Sequence, residues 1–147
     1  MRKTRPKMDT PFRGYIYRTK GTVPHIINGK WVQMEVGGTI IAEFTCDRIY
    51  ELEMRSPGGS YYVKGEDQPT TNDVARHSCL TLWDMHEYLQ AGKGYGWHIS
   101  NLRIYDHPRD LWEFAGLQRE TEFGLAPKPI TRPPQSWRYV EEELWND

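Results

Sequence analysis

The sequence predicts a small mixed α+β fold built on a β-barrel. Three features carry that expectation. Most patterned stretches alternate apolar and polar residues with the period of a strand, and only one stretch carries a full helical stripe. The most strand-like run also slips phase midway, as a bulge in a curling sheet requires. At 147 residues without an internal repeat, the chain reads as one ordinary domain whose core needs no metal or disulfide support.

Met1 to Thr10 is irregular and basic, and Pro11 leads into an alternating strand over Phe12 to Arg18. The Asn28-Gly29 pair between His25-Ile26-Ile27 and Trp31-Val32 signals a hairpin turn. Thr39 to Tyr50 is the clearest strand, with Ile40, Ala42, Phe44 and Cys46 facing one way and Ile41, Glu43, Thr45 and Asp47 the other. Glu43, turned away from the core face, is either a solvated carboxylate or the partner that orients a cation. Ser56 to Asn72, rich in Gly, Pro, Ser, Thr and acids, reads as a surface loop.

A helix follows, capped by Thr81 with Asp84 three residues on. Its stripe is Leu82, Met85, Tyr88 and Leu89, with Met85 and Tyr88 as core contacts, and Gly92 ends it. Lys93-Gly94-Tyr95-Gly96 makes a tight approach to the central strand, Tyr95 to Tyr105. There, apolar residues alternate at Trp97 and Ile99, slip near Ser100-Asn101, and resume at Leu102 and Ile104. Asp106-His107-Pro108 reads as a turn, Asp110 to Phe114 as a short helix, and Ala126 to Pro134 as a stiff, proline-rich extension. Gln135 to Val140 reads as a closing strand with Trp137 in the core.

The formal net charge of −1 hides an asymmetry: seven basic residues against the single Asp9 between Arg2 and Lys20, and the Glu141-Glu142-Glu143 run near the other end. The basic segment suits phosphates and equally suits a solubilising tail. Cys46 and Cys79 show no CxxC spacing, so reduced thiols are expected rather than a disulfide framework or a zinc site. His77 and His86 lack partners at metal-ligand spacing, so neither metal nor cofactor is expected. With no apolar run near the ~20 residues of a membrane span and no signal h-region, a soluble cytoplasmic protein without a membrane partner is expected.

Trp97, His98, Asn101 and Arg103 place a stacking ring, an imidazole, an amide and a fixed cation on one short segment, a set suited to a base or a phosphate. The competing reading is a core Trp, a hydrogen-bonded His and a solvated Arg. Gln135 follows two prolines, which hold its backbone so that its amide is aimed; it would otherwise cap a turn.

Three blocks in order are Gly38-Thr39-Ile40-Ile41-Ala42-Glu43-Phe44, Tyr95-Gly96-Trp97-His98-Ile99-Ser100 and Arg132-Pro133-Pro134-Gln135-Ser136-Trp137. Together they closely resemble bacterial and phage-associated members of the ASCH domain family, within the PUA-like superfamily. The resemblance spans most of the chain and implies a compact β-barrel with flanking helices and a cleft for RNA or a modified nucleoside. Such proteins typically begin with a strand, a helix and a Gly-x-Lys-x-x-Glu-x-Arg motif. Here only the final Arg is matched, by Arg2, with Lys3-Thr4-Arg5-Pro6-Lys7 after it. The domain is therefore expected to be N-terminally short, either because the reading frame begins upstream of Met1 or because the member is truncated; in a truncated member the edge left without its first strand favours a homodimer or poor solubility.

Binding of RNA or a modified nucleoside is the leading functional expectation. Arg2, Lys3, Arg5, Lys20, Trp97, His98, Arg103 and Gln135 form the site, with further cations at Lys7 and Arg18 and further stacking rings at Tyr95 and Trp137. The first alternative is an amidohydrolase acting on a nucleoside such as acetylated cytidine. Relatives in the superfamily use a Lys, a Thr and a Glu for this; two of those roles fall in the missing motif, and Thr19-Lys20 is only a superficial substitute. The second is a non-enzymatic, prophage-encoded interaction module presenting Glu141-Glu142-Glu143 and exposed aromatics to a protein partner.

Overall fold

A computed structural model describes residues 1–116, 129–134 and 137–141. The described residues are strand-rich with two short helices, the α+β class expected. In order it runs β1 (Phe12–Arg18), β2 (Gly21–Ile27), β3 (Lys30–Val36), β4 (Thr39–Met54), β5 (Tyr61–Val63), α1 (Thr71–His77), α2 (Leu82–Leu89) and β6 (Gly94–Asp110). A single 3-10 turn (Leu111–Glu113) and the two-residue strands β7 (Ala115–Gly116) and β8 (Val140–Glu141) complete it. β4 is the shared partner of β1, β5 and β6; β2 pairs with β3, and β7 with β8. Among the described residues none of these sheets closes into a barrel.

The alternation read from β4 holds, since Ile40, Ala42, Phe44 and Cys46 are all buried. The chain divides into two compact units, Met1–Gly14 with Phe44–Leu102, and Tyr15–Glu43 with Arg103–Asp147. In the first, Leu52, Tyr61 and Val63 of β4 and β5 pack with Val74 and Ala75 of α1 and Met85 and Leu89 of α2. In the second, Ile40, Phe114 and Ile130 form the core, flanked by Tyr15, Tyr17, Tyr105, Leu111 and Val140.

Local chemistry explains the helix ends. Thr81 accepts from the Asp84 amide at 3.1 Å while its own amide donates to Asp84 Oδ2 at 3.0 Å, the reciprocal cap expected. Termination differs from expectation: Gln90, not Gly92, takes the left-handed cap (φ 49°), and its N–H donates to the His86 carbonyl. Tyr88 is exposed rather than a core contact, because the α2 face that packs carries Met85 and Leu89.

The stretch read as a loop over Ser56 to Asn72 contains β5 and the start of α1. Three residues of strand are too short to show a period, and Thr70 caps α1 by accepting from the Asp73 amide. The expected turn at Asp106-His107-Pro108 is absent, β6 continuing to Asp110. Asn101 has a left-handed backbone (φ 50°) where the phase slip was read. Beyond it the apolar residues do not return inward: Leu102 and Ile104 are 55% and 72% exposed, and Tyr105 is the half-buried residue. Trp137 is half-buried and meets Tyr139 edge-on at 5.3 Å, rather than fully in a core.

The Phe44 ring lies directly over Gly14, where a Cβ has no room, whereas nothing stands within 4 Å of a Cβ at Gly21. Gly14→Ala is therefore expected to lower the unfolding free energy by about 1–3 kcal/mol, the usual cost of overpacking. Gly21→Ala should stay within ~0.5 kcal/mol of the parent. Urea unfolding of the two variants compares them directly.

Candidate nucleic-acid interface

The first unit carries five of the residues predicted for the site. The Arg2 amide donates to the Tyr95 carbonyl at 2.9 Å and the Tyr95 amide donates back at 2.8 Å, which ties the basic N-terminal segment to the start of β6. Lys3 holds its ammonium 4.8 Å from the ring centroid of the exposed Tyr88, and Arg5 is exposed. Trp97 is half-buried with the Phe12 ring edge-on at 5.3 Å, so its indole is a partly covered surface, not the open stacking platform expected.

His98 is placed differently. Its ring stands on the solvent side of β6, with Nδ1 2.7 Å from Asp47 Oδ1 on β4; the two side chains are 49% and 45% exposed. A carboxylate only accepts, so Nδ1 carries the proton and Nε2 is left for an outside partner. The hydrogen bond from His98 holds the Asp47 carboxyl below the usual aspartate range. Tyr50 stands edge-on to the imidazole at 6.2 Å, and Ser100 Oγ donates to the Thr45 carbonyl at 3.3 Å one step along the strand pair.

The second unit holds Lys20 and Arg103. Arg103 Nη1 is 3.4 Å from Glu43 Oε1, and the Tyr105 hydroxyl donates to Glu43 Oε2 at 3.2 Å. The Arg103 guanidinium also stands 5.7 Å from the Tyr105 ring centroid. Glu43 thus has the orienting geometry considered for it: it engages the guanidinium of an arginine whose side chain is 72% exposed. Burial, before any effect of Glu43, pushes the Tyr105 hydroxyl up, so it remains a neutral donor at physiological pH. Lys20 lies with its aliphatic stem over Gly38, where a Cβ would come within 2.9 Å of it. Gln135 lies outside the described residues.

Sequence reasoning missed Asp47 as the partner of His98. It stood on the outward face of β4, but only the cross-strand placement of β4 and β6 reveals the pair. A charged network on β4 and β5 was missed as well. Lys93 Nζ lies 3.1 Å from Glu53 Oε1 and 3.5 Å from Glu51 Oε1, Lys64 lies 3.8 Å from Glu53, and the Tyr62 hydroxyl donates to Glu53 at 3.0 Å. Glu53 pushes the Lys93 ammonium up, and Lys93 pulls the Glu53 carboxyl down. Both groups stay charged, which is the reverse of what proton transfer near neutral pH needs.

A shallow surface concavity of about 560 Å³ is lined by Asp84, His86, Glu87, Tyr88 and Gln90, and its acids disfavour phosphate. Among the described residues no cluster of three His, Cys, Asp or Glu side chains is placed to hold a metal, and Cys46 and Cys79 are unpaired. No helix among them is long and apolar enough to cross a membrane. Comparison with family models, curated proteins and solved structures gives no match.

Because the folded pKa of Asp47 is depressed, its bond to His98 stabilises the fold above the ordinary aspartate value of about 3.9 and is lost as pH falls through the lower folded value. An NMR titration should place the Asp47 midpoint below ~3.9 in the parent and move it back toward that value in His98→Phe.

Proposed function

We propose that this chain binds single-stranded RNA or a modified nucleoside as a cytoplasmic, ASCH-like member of the PUA-like superfamily. The observation that carries the reading is the Asp47–His98 pair: an exposed imidazole held at Nδ1 across 2.7 Å, with Nε2 left to address a base edge or a phosphate. A neutral ring accepts there from a base N–H, and a protonated ring donates to phosphate oxygen. Arg103, its guanidinium engaged by Glu43 and standing near the Tyr105 ring, supports the same reading through its remaining donors, and Lys3 and Arg5 add positive charge on the segment that Arg2 ties to β6.

The hydrolase reading fares worse. A lysine base must lose its proton near neutral pH, and Lys93, the lysine most closely engaged by acids, is pushed the other way. Incubation with acetylated cytidine should release no cytidine beyond the protein-free rate. The interaction-module reading keeps one specific observation, the exposure of Trp31, Trp83 and Trp112. Glu142 and Glu143 of the acidic run lie outside the described residues.

Fluorescence anisotropy with a labelled single-stranded RNA tests binding. Affinity should fall linearly in log–log form with salt, and Arg103→Ala should reduce the slope by ~0.7, the value for one phosphate contact on a single strand. His98→Ala should cost about 1 kcal/mol, the net worth of one hydrogen bond, with the slope nearly unchanged at high pH. Salt-independent affinity, or none at low salt, removes the proposal.

A further inference from the structure

β2 and β3 make a ribbon of unusual exposure. Thirteen of the fourteen residues in the two strands are exposed and Val36 alone is half-buried. The registered pairs run from Gly21↔Val36 to Ile27↔Lys30, closed by Asn28 (φ 52°) and Gly29 (φ 75°), the two positive angles of a type I′ turn. One face carries Val23 beside Met34, His25 beside Val32 and Ile27 beside Lys30; the other carries Ile26 beside Trp31, the latter 71% exposed. A two-stranded ribbon is marginal in water by itself, so apolar side chains on both faces call for further strands.

The register shows which edge is open. In a two-residue hairpin the closing pair Ile27↔Lys30 is hydrogen-bonded, and bonded and non-bonded pairs then alternate. Lys30, Val32, Met34 and Val36 therefore turn their backbone groups toward β2, while Trp31, Gln33 and Glu35 turn theirs outward. On the opposite edge the outward residues are Thr22, Pro24 and Ile26, and Pro24 has no N–H to offer. One edge is blocked by proline, as edges protected from pairing commonly are; the other is a proline-free run of seven residues. Among the described residues neither edge carries another strand.

We propose that β3 is a dimerisation edge that pairs antiparallel with β3 of a second copy across a twofold axis at Gln33. In that register Gln33 faces Gln33, and Trp31 faces Glu35 in both directions. These are the residues whose backbone groups point outward, so each pair exchanges two hydrogen bonds. Val32 then faces Met34 of the other copy as a close, non-hydrogen-bonded pair, joining the apolar faces of two ribbons. Lys30 meets Val36, so no like charges are opposed. The ribbon itself favours a second copy over a polyanion, because Lys30 and Glu35 cancel and leave nothing to neutralise phosphates.

Sedimentation analysis of the whole chain tests this, with Gln33→Pro as the variant. Gln33 sits opposite Pro24 in a non-bonded pair, so proline there removes an outward donor without breaking the ribbon's own ladder. The parent should reach twice its 17.3 kDa as concentration rises. Gln33→Pro, with unchanged circular dichroism, should stay at 17.3 kDa. Should the variant fail to fold, hydrogen exchange on the parent decides: the Trp31, Gln33 and Glu35 amides should gain at least tenfold protection between dilute and concentrated protein. A single monomeric species throughout, a dimer that survives Gln33→Pro, exchange independent of concentration, or a mass increase only on adding RNA each overturns the proposal.

Discussion

Close approach of backbone to helix at the start of β6 is the constraint on which the first unit depends. A Cβ at Gly94 would lie 2.8 Å from Leu89 Cδ1, and one at Gly96 would lie 3.2 Å from Val74 Cγ1. With hydrogen in those places, α1 and α2 settle onto the sheet and enclose Leu52 and Met85 completely. At roughly 25 cal/mol for each Å² of apolar surface removed from water, such fully enclosed side chains are the main source of the unit's stability. The same two glycines leave Tyr95 to bond Arg2 and hold Trp97 and His98 in step along the strand. The seat of the two helices and the placement of His98 are thus set by one short segment.

Much of this was legible in the residues, and the gaps have physical causes. The extents of β1 and most of β4, the Thr81–Asp84 cap, the Asn28-Gly29 turn and the backbone irregularity at Asn101 all rest on short-range rules: period, capping and positive φ. What failed depended on contacts distant in sequence. β5 was invisible because three residues have no period, and Tyr88 was placed inward because its spacing fits the stripe although the packed face of α2 takes only Met85 and Leu89. Ile104 followed the apolar pattern outward because its neighbour Tyr105 satisfies both a ring-packing role and a hydrogen bond to Glu43. The site was read in the same partial way: the types at Trp97, His98 and Arg103 were visible and Glu43 was considered as a cation's partner, but the pairing of Asp47 with His98 and of Glu43 with Arg103 follows only from strand register.

The pKa directions at the charged pairs share one feature. Three groups have their charge fixed instead of being poised near neutrality: Asp47 is held low by His98, Glu53 low by Lys93, and Lys93 high by Glu53. A general acid or base needs the opposite arrangement, with burial or like charge moving a pKa toward the working pH. All these groups lie at the surface, where water screens them and each pair contributes little to stability. Their value is directional. A carboxylate beneath an imidazole or a guanidinium leaves the outer donor or acceptor aimed at solvent with little freedom left to lose when a ligand arrives. That preorganisation suits contact with a base edge or a phosphate, whose hydrogen-bonding atoms are themselves rigidly arranged.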